Sequence, residues 1–314
     1  MPPDNPTLRA LLARQDAVVS RAQVLAAGGT GPWVARRAAT GRWQRVHPGV
    51  YVAHSGPIPW RSRAWAALLH AGPGAAVSHA AAAYVHGFVA VPPRVVDVSI
   101  PAARRVDPQP GLRVHRRRTM PPVLGRLPVV ARGDTVLDVV QRLRAVDDVV
   151  GLVCVAVRAG MWPQEVLEPL GARRRVRHRA LLADVLAEVG LGIESPLERR
   201  YHHDVERAHG LPRSRLQVRQ HVGGRWTRAD GIYEGLGVRT ELDGELAHPG
   251  GRTDGDVWRD NAVVISRGEL TLRYRWHHVA VAPCATARQV EQALRSRGWS
   301  GRGRPCGPSC PVGR

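Results

Sequence analysis

Stretches of helical and strand patterning follow one another along the chain, separated by glycines. Leu8, Leu11 and Leu12 recur at helical spacing and predict a first helix over 8–16. Val18-Val19-Ser20 reads as a short link, and Ser20 is placed to cap a second helix over 21–27, which Gly28-Gly29 ends. A third helix is expected over 32–40, ahead of Gly41. Residues 43–46 and 49–53 then read as two strands turning at His47-Pro48. Farther on, the pattern gives helices over 60–71, 79–86, 134–144, 149–158 and 180–189, with strands over 95–100 and 112–115. Ser78 is the expected cap of the 79–86 helix. The last third reads as a helix (196–208), three strands (216–222, 226–233 and 238–243), a helix (256–266), a strand (270–276) and a helix (285–297).

These elements predict an α/β chain, α+β overall, in four parts. Residues 8–55 form a winged helix-turn-helix and residues 60–190 a mixed α/β middle region. Gly190–Gly192 is the expected boundary to an α-β-β-β-α-β domain over 193–297. Residues 298–314, rich in Gly, Pro and Arg, are expected to be a disordered basic tail. A helix-turn-helix lays its recognition helix in the major groove, where Arg reaches guanine edges or phosphates. Arg36, Arg37, Arg42 and Arg45 are the candidate DNA contacts.

Charge strengthens that expectation. The chain has 314 residues, 46 of them basic and 26 acidic, for a net charge of +20 and a pI near 11.5. It contains no lysine, so every basic residue of the 46 is Arg. Such a surplus favours a polyanionic partner. DNA is preferred over membrane because no amphipathic basic anchor accompanies it. No window approaches the roughly 18 unbroken apolar residues of a membrane span. The Pro-rich first seven residues lack the order of a signal peptide, so a cytoplasmic protein with no membrane partner is expected. Cys154, Cys284, Cys306 and Cys310 make no disulfide framework in a chain this size. Cys306 and Cys310 lie in the tail without a second ligand pair, which speaks against a zinc site there.

Against this basic background the acids between residues 228 and 248 stand out. Asp230 falls on one predicted strand. Glu241 and Asp243 fall two apart on the next, so both point to one face. Carboxylates gathered on a face repel one another unless a cation neutralises them, and a divalent metal does so. Asp230 and Glu241 are the first-choice metal ligands, and Asp243 is a ligand or supports one. His248 falls in the following loop, and histidine is a residue type suited to orienting or deprotonating a water. Glu198 follows Ser195 by three residues with Pro196 between, which is a capping box, and the sequence alone favours that cap. Arg259, on the next helix, is placed to clamp a phosphate or pair with Glu241 or Asp243.

Two resemblances rest on these residues. Val19-Ser20-Arg21-Ala22-Gln23, Gly41-Arg42-Trp43 and Val46-His47-Pro48-Gly49-Val50-Tyr51 resemble the N-terminal winged helix of AbiEi-type antitoxins and related transcriptional regulators. Ser195-Pro196-Leu197-Glu198, Arg228-Ala229-Asp230, Glu241-Leu242-Asp243-Gly244 with His248, Arg259-Asp260-Asn261 and Leu272-Arg273-Tyr274 with Trp276 resemble the endonuclease-like family related to very-short-patch-repair endonucleases, of the PD-(D/E)XK superfamily. The second resemblance covers roughly residues 193–283. It implies a catalytic set of Glu198, Asp230, Glu241, Asp243, His248 and Arg259, Mg²⁺ (or Mn²⁺) on Asp230 and Glu241, and hydrolysis of DNA phosphodiester bonds in defence or repair. The lysine of the broader pattern is absent, and His248 is the expected stand-in. The competing expectation is an AbiEi-type regulator whose nuclease-like domain is inactive, or a module that binds a cognate protein toxin.

Overall fold

The computed structural model describes residues 5–190, 193–243 and 254–313. The chain is α+β overall and divides into two compact units after Ala183. Among the described residues no helix is long and apolar enough to cross a membrane.

The first unit opens with α1 (Pro6–Arg14), β1 (Val18–Ser20), α2 (Arg21–Ala26), α3 (Gly31–Ala39), β2 (Gln44–His47) and β3 (Val50–Val52). Asn5 caps α1 by accepting from the Leu8 N–H, and Ser20 forms a full capping box with Gln23 on α2. The expected link at Val18–Ser20 is in fact a strand. Its paired valines suit a pleated surface, and it joins β3 antiparallel with Val18 opposite Val52 in a sheet ordered β1-β3-β2. Val18, Val50 and Val52 are buried in one cluster with Trp60, Trp65, Val98 and Ile100, so residues 8–55 share a core with the middle region.

The middle region comprises α4 (Trp60–Ala71), β4 (Ala76–Val77), α5 (His79–Val85), β5 (Val96–Pro101), β6 (Leu112–Arg117), β7 (Val123–Leu124), β8 (Val129–Val130), α6 (Arg132–Val140), α7 (Val146–Arg158) and α8 (Gln164–Ala172). Its sheet is ordered β6-β5-β4-β8-β7. The two-residue strands β4, β7 and β8 carry no readable alternation, and α8 holds Pro169 inside it, which disguises it as a loop. Ser78 does not cap α5 through its side chain. Its hydroxyl instead meets Nδ1 of His79 at 3.0 Å.

The division between the units falls within α9 (Arg179–Gly190), ahead of the expected boundary at 190–192. The second unit continues with α10 (Pro196–Arg200), a π-helical turn over Tyr201–Arg207, β9 (Arg215–Val222), β10 (Arg225–Tyr233), β11 (Val238–Asp243), α11 (Asp254–Arg267), β12 (Leu270–Arg275), a second π turn over His277–Val281 and α12 (Pro283–Ser296). The sheet is ordered β12-β11-β10-β9. β9, β10 and β11 form an antiparallel meander, and β12 runs parallel to β11. Tyr201, Val205, Tyr233, Val238, Tyr274, Val290 and Leu294 form its core.

One expectation for this unit fails. Residues 298–313 are ordered rather than loose: Val312 and Cys310 are buried in the same core, and the Gly303 and Gly313 N–H groups donate to the two carboxylate oxygens of Glu291 at 2.8 and 3.3 Å. In the first π turn His202 is buried against Glu206 at 2.5 Å, and His203 meets Glu188 at 2.6 Å. Trp276 is exposed, with the Arg200 guanidinium 5.4 Å over its ring.

Candidate functional site

The β9–β10–β11 meander brings one residue from each strand to a common point. Gly231 lies opposite Thr240, so Asp230 and Glu241 are direct neighbours across the β10–β11 pair. Leu216 and Val218 flank Gly231 and Ala229, so Gln217 lies beside Asp230 on the other side. Glu198, in the first turn of α10, completes the group. A Cβ on Gly231 would meet the Thr240 hydroxyl at 2.5 Å and that of Ser214 at 2.8 Å. The backbone after Asp230 is therefore packed too closely for any side chain, which holds the strand in place.

Hydrogen bonds fix each carboxylate. Oδ2 of Asp230 accepts from the Leu242 N–H at 2.7 Å, tying β10 to β11. The Gln217 amide donates to Glu198 Oε2 at 3.1 Å and reaches Asp230 Oδ1 at 3.5 Å, bridging the two acids. Of the expected capping box the Ser195 half forms and the reciprocal half is replaced: the Ser195 hydroxyl accepts from the Glu198 N–H at 3.1 Å and donates to its Oε1 at 3.0 Å, while the Glu194 N–H, in place of that of Ser195, donates to Oε2 at 2.9 Å. The capped Glu198 side chain still lies beside Asp230, with which it shares the Gln217 amide.

The electrostatics are unfavourable for the bare acids. Burial pushes the Glu198, Asp230 and Glu241 carboxyls above the usual range. Among these carboxylates, the charge of Asp230 adds to the shifts of Glu198 and Glu241, and that of Asp243 adds to the shift of Asp230. One cation answers from below: Arg239, on the same strand face as Glu241 and only 1% exposed, donates to Glu241 Oε1 at 2.6 Å. Arg239 also approaches Glu269 at 4.0 Å. Among the described residues no guanidinium bonds Asp230 or Glu198.

Asp243 stands apart from this group in its bonding. Arg273 reaches both its oxygens at 3.3 Å and holds Asp260 of α11 at 2.6 and 3.1 Å. Asp243 is thus already ion-paired. Glu241 bonds Arg239 and Asp243 bonds Arg273. Position 259 lies in α11, its side chain outside the described set, and His248 lies outside the described residues as well.

Two participants went unread in the sequence. Arg239 looked like one more Arg in an Arg-rich chain, although its i, i+2 spacing to Glu241 put both on one face. Gln217 sits between Leu216 and Val218, where alternation marks it as the odd polar residue of the strand. Its φ of +49° places a non-glycine residue in the left-handed region, a strain that concentrates at working sites.

In the first unit, the candidate DNA contacts lie on α3 (Arg36, Arg37), in the bend after it (Arg42) and on β2 (Arg45). Arg36, Arg42 and Arg45 are exposed, and Arg37 lies with its guanidinium 5.0 Å over the Trp33 ring. A further polar group joins His79, Asp97 and His115. Arg113 and Arg142 approach Asp97 at 3.5 and 3.3 Å, and Arg142 also meets the His115 ring nitrogen at 3.3 Å, so cationic side chains already occupy it. Burial, followed by the nearby His115, Arg117 and Arg142, pushes the His79 imidazole down to about 3, against the opposing charge of Asp97.

No family model and no curated protein matches the chain. Among solved structures it is similar to the crystal structure of the RV2827C protein from Mycobacterium tuberculosis, at 16% identity and a TM-score of 0.38, over 62% of this chain and 79% of that one.

Proposed function

We propose that the protein is a metal-dependent DNA endonuclease that carries its own DNA-binding winged helix and acts in defence or repair. The observation that carries the reading is the facing pair Asp230, half-buried, and Glu241, buried, both with raised pKa, and joined by Glu198 at a strained Gln217. The α-β-β-β-α-β order of the second unit, with β12 parallel to β11, supports a PD-(D/E)XK-like core. The α-β-α-α-β-β order of residues 6–52 supports a winged helix. Exposed Arg36 on the third helix, Arg42 in the bend after it and Arg45 on the following strand suit a duplex backbone.

The acids fit a small divalent cation, because among the described residues no guanidinium bonds Asp230 or Glu198 and desolvation makes their mutual charge costly. Asp230 and Glu241 would hold Mg²⁺ or Mn²⁺. Such an ion, when bound, offsets charge building on phosphate oxygens and favours ionisation of water. The protein's part is placement. Leu242 N–H aims Asp230, Arg239 anchors one oxygen of Glu241 and leaves the other to turn toward the site, and Gln217 keeps Glu198 and Asp230 in register. His248 is our candidate to take the water's proton.

Purified protein should nick supercoiled plasmid with Mg²⁺ or Mn²⁺, and Asp230→Ala and Glu241→Ala should abolish nicking while keeping the circular dichroism of the parent. Cutting at parental rate by both variants would place the chemistry elsewhere. A second reading has its own observation: Arg239 already neutralises one oxygen of Glu241, as in a retired site, and the chain has no lysine. In that reading the protein is an AbiEi-type DNA-binding regulator that partners a toxin. A footprint on its own promoter with no cleavage under any metal would favour it.

A further inference from the structure

The C-terminal segment carries a chemistry unrelated to the acids. Cys284 stands in the first turn of α12, and Cys306 and Cys310 lie in the segment after it. His209 comes shortly after the first π turn and is completely buried. These four residues come from three separate stretches, yet three sulfurs and a ring nitrogen all lie within 4.8 Å of one another. The Sγ atoms of Cys284 and Cys306 are 3.4 Å apart. That is far longer than a disulfide bond of about 2.05 Å. It is close to the roughly 3.8 Å between two sulfurs bound tetrahedrally at about 2.3 Å from one zinc ion.

His209 supplies an independent pointer. Its Nδ1 meets the Val205 carbonyl at 2.9 Å, and since a carbonyl only accepts, Nδ1 carries the proton. Nε2 is then left with its lone pair, and it is buried without a hydrogen-bond partner. A ring nitrogen in that state is costly unless something uses it. A backbone carbonyl on one nitrogen is also the arrangement that orients a metal-bound histidine through the other.

We infer that His209, Cys284, Cys306 and Cys310 form a structural zinc site that fastens the C-terminal segment to the second unit. Three thiolates and one imidazole are a donor set that selects zinc over hard cations such as Mg²⁺. Four protein ligands fill a tetrahedron and leave no position for water or substrate, so the site holds structure and does no chemistry. The backbone around it is built to the same end. The Arg304 N–H donates to the His209 carbonyl at 2.8 Å, and the Cys310 N–H closes a turn onto the Gly307 carbonyl at 3.1 Å. A Cβ on Gly303 would meet Val312 at 2.5 Å and the Glu291 carboxyl at 3.2 Å, so the segment can pass only as glycine there. Gly, Pro and Arg bury too little to order such a segment unaided. Metal ligation at both ends of a short loop is a sufficient clamp.

Elemental analysis of the full chain, purified without chelator from zinc-supplemented cells, tests this without reference to nuclease activity. About one zinc per chain is expected. Titration with a mercurial should release it, and replacement by Co²⁺ should give the thiolate charge-transfer and intense visible bands of a tetrahedral site. The paired variant Cys306→Ser with Cys310→Ser should lose the zinc, whereas Cys154→Ser should keep it. Zinc removal from the parent should also open Arg302 and Arg304 to trypsin while the β9–β12 sheet stays resistant. Parental protein with less than about a tenth of an equivalent of zinc, a Cys284–Cys306 disulfide in the mass spectrum, or full zinc retention by the paired variant would each overturn the assignment.

Discussion

Asp230→Asn separates a metal site from a structural polar network, because the two give opposite signs. In the parent at pH 8, Asp230 faces Glu241 across a strand pair and Glu198 across the Gln217 bridge. Side chains directly opposite on neighbouring strands lie about 5 Å apart. At an effective dielectric constant of about 20, two unit charges at that distance repel by about 3 kcal/mol. Arg239 offsets part of this through Glu241, and Leu242 N–H gives Asp230 a charge-assisted bond that asparagine keeps only in weaker form, at a loss of about 1 kcal/mol. The variant is therefore expected to be more stable than the parent by about 1 kcal/mol in magnesium-free buffer, or roughly 3–6 °C in melting temperature for a unit of this size.

The pH dependence carries the same sign. The carboxyls of Glu198, Asp230 and Glu241 titrate above their unfolded values, so the native state binds more protons than the unfolded chain in that window. Their contribution is fully present below the unfolded carboxylate pKa and is lost as pH rises through the raised folded values. The advantage of Asp230→Asn should accordingly be greatest near neutrality and vanish in acid. Mg²⁺ should reverse the order. The parent gains about 2.7 kcal/mol at a hundred times the dissociation constant, and the variant gains little. Thermal melts at pH 4–8, in buffer freed of Mg²⁺ by resin rather than by a chelator that strips zinc, make the comparison. A variant less stable than the parent without metal, with both responding alike to Mg²⁺, would refute the reasoning.

Arg239→Met should cost about 3 kcal/mol by leaving Glu241 buried without its cation, and adding Glu241→Gln should recover most of the loss, as read by denaturant melts of the double-mutant cycle. Replacing Arg36, Arg42 and Arg45 together by Ala should leave the melting temperature within about 1 °C, because all three are exposed, and should flatten the salt dependence of DNA binding by about 0.9 in log–log slope for each phosphate contact removed. An unchanged slope would assign DNA binding to another surface.

Much of the fold was legible because it is written in local signals. Ser20 with Gln23 and Ser195 with Glu198 marked helix starts, and the Gly223-Gly224 and Gly235–Gly237 turns fixed the meander that aligns Asp230 with Glu241. What escaped depends on distant partners. β4 is two residues long and exists because β5 and β8 flank it. The tail composition reads as disorder, yet Glu291, on the preceding helix, accepts both of its glycine N–H groups. The cysteine pair at 306 and 310 lacked a visible second pair because His209 and Cys284 lie 97 and 22 residues from Cys306 (306 − 209 and 306 − 284), a separation that only the fold closes.

The mutual charge of the acids at the site supports the proposed cation site over a retired one. Several acids around the sheet are matched to guanidiniums: Asp243 and Asp260 share Arg273, Glu269 takes Arg267, and Glu194 takes both arms of Arg228, whereas Glu291 is held by two backbone N–H groups and Glu206 by Tyr233, His202 and the Ser214 N–H. Among the described residues Glu241 is matched on one oxygen alone. Asp230 and Glu198 are matched, among the described residues, by neutral donors only, the Leu242, Glu194 and Ser195 groups and the Gln217 amide. The charge of Asp230 bears directly on Glu198, and among the described residues no guanidinium bonds either one. Neutral donors aim a carboxylate without cancelling its charge. That is what a ligand for a divalent ion requires, and a structural salt bridge in its place would remove it.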